Sequence, residues 1–275
     1  MDMITENISK EFAETLEMAD LQAWVNMFEN APADYAEKFG LEIKRVDDVI
    51  AFLCRKIPFP HFNSVTNLGL RETVTEEKLD KILAVYREAT SPKIYIHYNP
   101  FLEPANLPEL LSAQGLQVKS SWERIYRDNV PLKISADRQN IQKVTTETSL
   151  DWANFVSDIY GLPTAPWLVS LVGAEGWHHY IETDGAKITA ARTMFLGNDG
   201  LAWSGIDAPV PGIMIPSYDA DFRICQVMVE DALNLGAKLL VMDIEKPAPE
   251  MNTEPYQNFA SIGFKRAYLR QNYMF

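Results

Sequence analysis

The sequence predicts an α/β fold (α+β in some schemes) made of two related halves, each a mixed, mainly antiparallel sheet flanked by helices. Three observations predict it. The order strands, helix, strand, helix, strand runs through the first half and is repeated, loosely, in the second. The stretch NVPLKISAD, Asn129 to Asp137, has the proline and polar punctuation of a linker. With 275 residues, 47% of them hydrophobic, the chain has enough apolar surface for two cores. Domains are therefore expected at 1–130 and 131–275.

Element by element, Thr5 to Asn30 spaces apolar residues by three and four (Ile8, Phe12, Leu16, Met18, Leu21, Trp24, Val25, Phe28), which predicts an amphipathic helix or a close pair. PADYAEKFG is a short helix stopped by Gly40. LEIKRVDDVIAFLCRK alternates around Asp47-Asp48 as a hairpin, and SVTNLGL is a third strand. TVTEEKLDKILAVYREAT reads as a helix with a capping-box start at Thr75, followed by strand KIYIHYN, helix LPELLSAQG and strand LQVKSSWERIYRD. The second half opens with a strand at Ile141 to Val144 and helices SLDWANFVSDIYG and APWLVSLVGA. A three-strand meander from Trp177 to Ile206 follows, turned at Asp184-Gly185 and Asn198-Asp199-Gly200. A helix from Arg223 to Leu235, the buried strand KLLVMDIE, helix PYQNFASIG and strand FKRAYLRQNYMF complete it.

Charge narrows the partners. Asp and Glu number 38 against 25 Lys and Arg, a formal charge of -13 that repels nucleic acid and anionic membranes. The longest basic cluster, Lys119 to Arg127, reads as the solvated face of a strand. Cys54 and Cys225 lie in apolar contexts and read as structural thiols of a reducing compartment. The first residues lack a secretory pattern and no window reaches a membrane-spanning apolar length, so a soluble, cytoplasmic chain is expected. His61 and His97 have no Cys, His or carboxylate at ligand spacing, and no metal is inferred.

The C-terminal residues carry a resemblance. Asn252 stands eleven residues before Gly263-Phe264, and EPYQNFASIGFKRAYLRQNY together with FNSVTNLGL resembles a tandem subgroup of the GNAT N-acyltransferases, in which a degenerate first half precedes a cofactor-binding one. The resemblance spans about Pro32 to Phe275 and implies an acyl-CoA site between two splayed parallel strands: LAWSGI, with Ala202, Trp203, Ser204 and Gly205 offering backbone groups, and KLLVMDIE. It further implies a phosphate-cradling loop on Pro216 to Asp221 and a loop role for Asn252.

Two departures weaken the implied chemistry. The glycine positions of that loop hold Ser217, Asp219 and Asp221, whose side chains suit a helix start and would compete for its backbone N–H groups. A carboxylate about 4 Å from a phosphate costs on the order of 1–4 kcal/mol, which Arg223, one turn later, would partly offset. Phe259 stands where many members carry the tyrosine that protonates the departing thiolate; Tyr256, three residues earlier, is the substitute candidate. His178, His179, Glu182 and Asp207 are candidate bases without a distinguishing signal. Expected, then, is an acetyl-CoA- or other acyl-CoA-dependent N-acyltransferase acting on a small-molecule amine, with weakened cofactor binding. The alternative is a non-catalytic pseudoenzyme of the same fold that binds a ligand or protein. A cationic ligand near Trp167 and Trp177 is a third reading.

Overall fold

The apolar spacing of the first thirty residues yields one helix and not a pair, because no breaker interrupts it. In the computed structural model it is α1 (Lys10–Glu29), capped by the Ser9 hydroxyl, which accepts from the Phe12 N–H at 3.2 Å. Its buried face includes Glu17 and Asp20 alongside Leu16 and Leu21. The structure describes residues 3, 6–89, 93–210, 214–215, 218–245 and 254–275. Two units divide the chain: one is Met1–Glu6 with Arg124–Ala267, the other Asn7–Glu123 with Tyr268–Phe275.

The second of these, here the N-terminal unit, contains α1 and α2 (Ala33–Phe39), the latter closed by Gly40 in the left-handed region at φ 68. Strands β1 (Leu41–Val46) and β2 (Val49–Cys54) form the expected hairpin, with Val46 opposite Val49. The third strand is shorter than the sequence suggests. β3 ends at Thr66 (Ser64–Thr66), because Asn67 and Gly69 turn left-handed at φ 64 and 75. α3 (Glu76–Glu88) starts at Thr75, whose hydroxyl accepts from the Lys78 N–H at 3.1 Å. Only that half of the capping box exists, since the third position holds Lys78 and not Glu. β4 (Tyr95–Tyr98) runs parallel to β3, and α4 (Leu107–Ala113) follows. Residues of β5 (Gln117–Asp128) and of the last strand of the chain complete this unit, whose core joins Val49, Leu53, Leu79, Ile82, Ile96 and Leu111.

In the C-terminal unit, β6 (Ile141–Lys143), α5 (Ser149–Tyr160) and α6 (Ala165–Leu171) precede the meander of β7 (Trp177–Asp184), β8 (Lys187–Leu196) and β9 (Leu201–Ala208). α7 (Asp219–Asn234) begins four residues before the apolar period does, with Asp219 and Asp221 in its first turn. After β10 (Leu239–Glu245) come α8 (Glu254–Ser261) and β11 (Lys265–Met274). Strand order here is β11-β5-β10-β9-β8-β7-β6, the β10/β9 contact being parallel. Ile224, Val227, Met228 and Ala232 of α7 share a core with Met194, Ala202, Leu240 and Met242. The basic cluster on β5 is not a solvated face. Arg124 and Arg127 are buried, Arg124 paired with Asp243 at 2.9 Å and Arg127 donating to the Ile262 carbonyl at 2.6 Å. Among the described residues no helix is long and apolar enough to cross a membrane.

Candidate functional site

β9 and β10 pair from Leu201 with Leu239 to Ser204 with Met242, and no further. Both strands nevertheless continue, to Ala208 and Glu245. The reason lies in β9's other neighbour. Thr193 of β8 faces Gly205 and Ala191 faces Ala208, so Arg192 alone opposes Ile206 and Asp207. This is a bulge, which bends a strand and sharpens its twist. Ile206 sits at φ 55, a region a β-branched residue occupies at a cost of about 1–3 kcal/mol. The bulge carries β9 away from β10 and leaves a parallel pair that opens at one end. Gly205 is required just before it, since a Cβ there would meet the Trp203 indole at 2.3 and 2.4 Å.

Arg192 closes the apex of this opening. Its guanidinium, 2% exposed, forks onto Asp221 (Nε to Oδ1 2.7 Å, Nη2 to Oδ2 2.9 Å) and reaches Asp207 Oδ2 at 2.9 Å. The remaining nitrogen donates to Ser204 Oγ at 3.0 Å and lies 3.9 Å from Met242 Sδ, the last paired residues of the two strands. One side chain therefore ties β8, β9, β10 and the first turn of α7. The cluster holds one cation and two carboxylates. Among the described residues Asp207 Oδ1 is buried with no hydrogen-bond partner, and Tyr160 of α5 donates to the Asp207 carbonyl at 2.6 Å. Burial lifts the Asp207 carboxyl to about 7 against the pull of Arg192, with the charge of Asp221 adding to the rise. Cys225, one turn along α7 from Asp221, is pushed up to about 12 by burial and stays a thiol.

The sequence-derived site residues separate on this geometry. Ala202, Trp203 and Ser204 lie in the paired stretch, whereas Gly205 borders the opening. Asp221 does not cap α7: the N-cap is Tyr218, without a side-chain cap bond, and the Asp221 carboxylate turns inward to Arg192. Asp219 is exposed. Arg223 pairs with Glu182 of β7 (3.1 and 2.5 Å to Oε1). Ser217, Asn252 and the Tyr256 side chain fall outside the described residues. Phe259 is core, edge-on to Phe222 and Phe264. His179 is buried, bonded through Nδ1 to Thr193 Oγ1 at 2.9 Å, and burial takes it down to about 3. Trp167 and Trp177 are buried core residues, which removes the aromatic cleft for a cation. Arg192 is the residue that sequence reasoning missed. Its signal was a lone charge inside the apolar strand KITAARTMFL.

No family model matches the chain, and no curated protein matches it in sequence. Solved structures do match in shape. A GCN5-related N-acetyltransferase from Kribbella flavida superposes with a TM-score of 0.60 at 11% identity, covering 94% of each chain. Another from Sphaerobacter thermophilus gives 0.56 at 12%, covering 82% of this chain and 76% of its own. A tandem GNAT protein from the clavulanic acid biosynthesis pathway gives 0.51 at 14%, with 82% and 78% covered. The chain has the GNAT fold, in agreement with the resemblance read from its sequence.

Proposed function

We propose that this protein transfers an acyl group, acetyl in the simplest case, from acyl-coenzyme A to the amine of a small molecule. The reaction takes place where β9 and β10 part, with residues 131–275 carrying the site and 1–130 a degenerate counterpart. The observation that carries the reading is the arrested pairing. Past Ser204 and Met242 the facing edges of two parallel strands no longer bond to each other, and an extended chain bearing amide groups can add there as a strand would.

The residues present suit the anionic end of such a substrate in part. The N-cap residue of α7, Tyr218, makes no side-chain cap bond, at a helix start of the kind that favours anions, and Arg192 pairs with Asp221. Of the two aspartates, only Asp219 is exposed, since the Asp221 carboxylate is turned inward onto Arg192. Calorimetric titration of acetyl-CoA into the full chain tests the reading. We expect a dissociation constant below about 1 mM, and no heat at that concentration contradicts it.

One observation favours a second reading, a binding module that has kept the fold. Phe259 is sealed in the core at 1% exposure and has no proton to give a thiolate. Trapping of released thiol separates the two: turnover with any amine speaks for the enzyme, and acetyl-CoA binding without turnover for the module.

A further inference from the structure

We propose that Asp207 binds the acceptor amine through its open carboxylate oxygen and takes the amine's proton during transfer, an inference that rests on the acyl-transfer reading above. The observations are geometric. Asp207 occupies the bulge that opens the strand pair, three residues past the last β9 residue bonded to β10. Arg192 Nη2 holds Oδ2 at 2.9 Å, and the Tyr160 hydroxyl holds the backbone carbonyl at 2.6 Å, so the carboxylate is fixed in place. Oδ1 lacks a partner among the described residues although it is shielded from water. A buried acceptor left open is unfavourable, and an N–H from a substrate satisfies it.

Charge points to the same occupant. With Asp207 ionised, Arg192 faces two carboxylates and the cluster carries one uncompensated negative charge, of which an ammonium is the complement. A carboxylate-bearing acceptor is disfavoured at the same spot.

The step balances. The amine nitrogen bonds to the thioester carbon, the C–S bond breaks with its electron pair on sulfur, and the N–H proton passes to Asp207 Oδ1. Asp207 returns that proton to the thiolate or to water, giving amide and thiol; an acceptor that arrives as ammonium first loses its extra proton to solvent. Burial brings the carboxyl to about 7, where it exchanges protons near neutral pH. The groups that face it are Arg192 from β8, Asp221 and Cys225 from α7 and Tyr160 from α5. Tyr160 is raised by burial and Cys225 lifted to about 12, so both stay neutral there.

The test uses the full chain with saturating acetyl-CoA and three probe amines, ethanolamine, benzylamine and putrescine, read by thiol release across pH. For Asp207→Asn we expect kcat to fall about 100-fold or more, and by a larger factor than acetyl-CoA affinity falls. For Asp221→Asn, Arg192 is left to Asp207 alone, and the acid limb of the rate profile moves to lower pH. Retention of a third or more of kcat in Asp207→Asn overturns the proposal, as does an unmoved limb in Asp221→Asn. So does absence of thiol release from all three amines by a protein that binds acetyl-CoA. If Asp207→Asn does not fold, the Asp221→Asn limb decides. A wild-type chain that binds no acetyl-CoA overturns the acyl-transfer reading itself.

Discussion

The two units each contain a parallel strand pair and a buried cluster of one arginine with two carboxylates, and they use them differently. In the N-terminal unit β3 and β4 pair at Ser64 with Tyr95 and Val65 with Ile96, and the chain beyond is closed by its own backbone. The Glu103 N–H donates to the Gly69 carbonyl and the Val74 N–H to the Glu103 carbonyl, both at 2.9 Å. Gly69 approaches so closely that a Cβ would lie 2.7 Å from the Glu103 carbonyl oxygen. Arg270 joins Glu17 at 2.9 Å and Asp20 at 2.8 Å, while Tyr268 and Asn99 take the other Glu17 oxygen at 2.7 and 3.2 Å. In the C-terminal unit the corresponding parallel pair ends at a bulge, and Asp207 keeps an open oxygen. What separates the two clusters is place: Arg270, Glu17 and Asp20 lie in the unit whose parallel pair is closed by its own backbone, whereas Asp207 lies beside an open strand edge, where a ligand is worth seeking.

That contrast breaks most visibly at Arg270. Arg270→Met leaves Glu17 and Asp20 buried without their cation, and about 3–5 kcal/mol of stability should be lost in denaturant unfolding. A milder loss would mean that Glu17 and Asp20 find other partners.

Acid should reveal the next largest effect. His61, among Trp24, Trp122 and Tyr95, is lowered by burial to about 4, His179 to about 3, and His97 is lowered well below its usual value. A neutral folded imidazole and an unfolded one that binds a proton near 6.5 make stability complete above that pH. It falls as the pH drops from 6.5 toward 4, by about 3 kcal/mol for His61 alone. Unfolding free energies measured between pH 7 and pH 4 check this, and a flat profile contradicts it.

Substitution of Gly205 by Ala sharpens the comparison at the bulge. The added methyl meets the Trp203 ring and should cost about 1–3 kcal/mol of stability, with acetyl-CoA affinity reduced as well. Smaller still is the contrast between the two first-turn aspartates of α7. Asp219→Gly removes an exposed charge and should raise acetyl-CoA affinity by no more than about tenfold. Asp221→Gly frees Arg192 from its fork and should weaken both folding and binding. Equal effects from the two, by calorimetry, would show that Asp221 does not turn inward.

Much of this was legible in the sequence. Apolar periodicity, the Asp-Asp hairpin, the glycine turns and the order of elements are local signals, and they gave the fold class and nearly every helix and strand. β3 and the start of α7 were misplaced by a few residues, because left-handed Asn67 and the first-turn aspartates are decided by neighbours as well as by propensity. The site was far less legible. Arg192, Asp207 and Asp221 come together only when β8, β9 and α7 pack, and the positive φ of the bulge falls on Ile206, not on the neighbouring Gly205 that would have announced it. Glu17 and Asp20 were likewise hidden by the apolar periodicity of α1, since their partner Arg270 lies some 250 residues away.

Amide hydrogen exchange with and without saturating acetyl-CoA tests the central claim most directly, since it reads both strand pairs in one experiment. The account predicts slowed exchange in peptides spanning residues 201–208 and 239–245, and none in those spanning 64–70 and 95–99. Protection confined to the N-terminal pair, or absent from both, contradicts it.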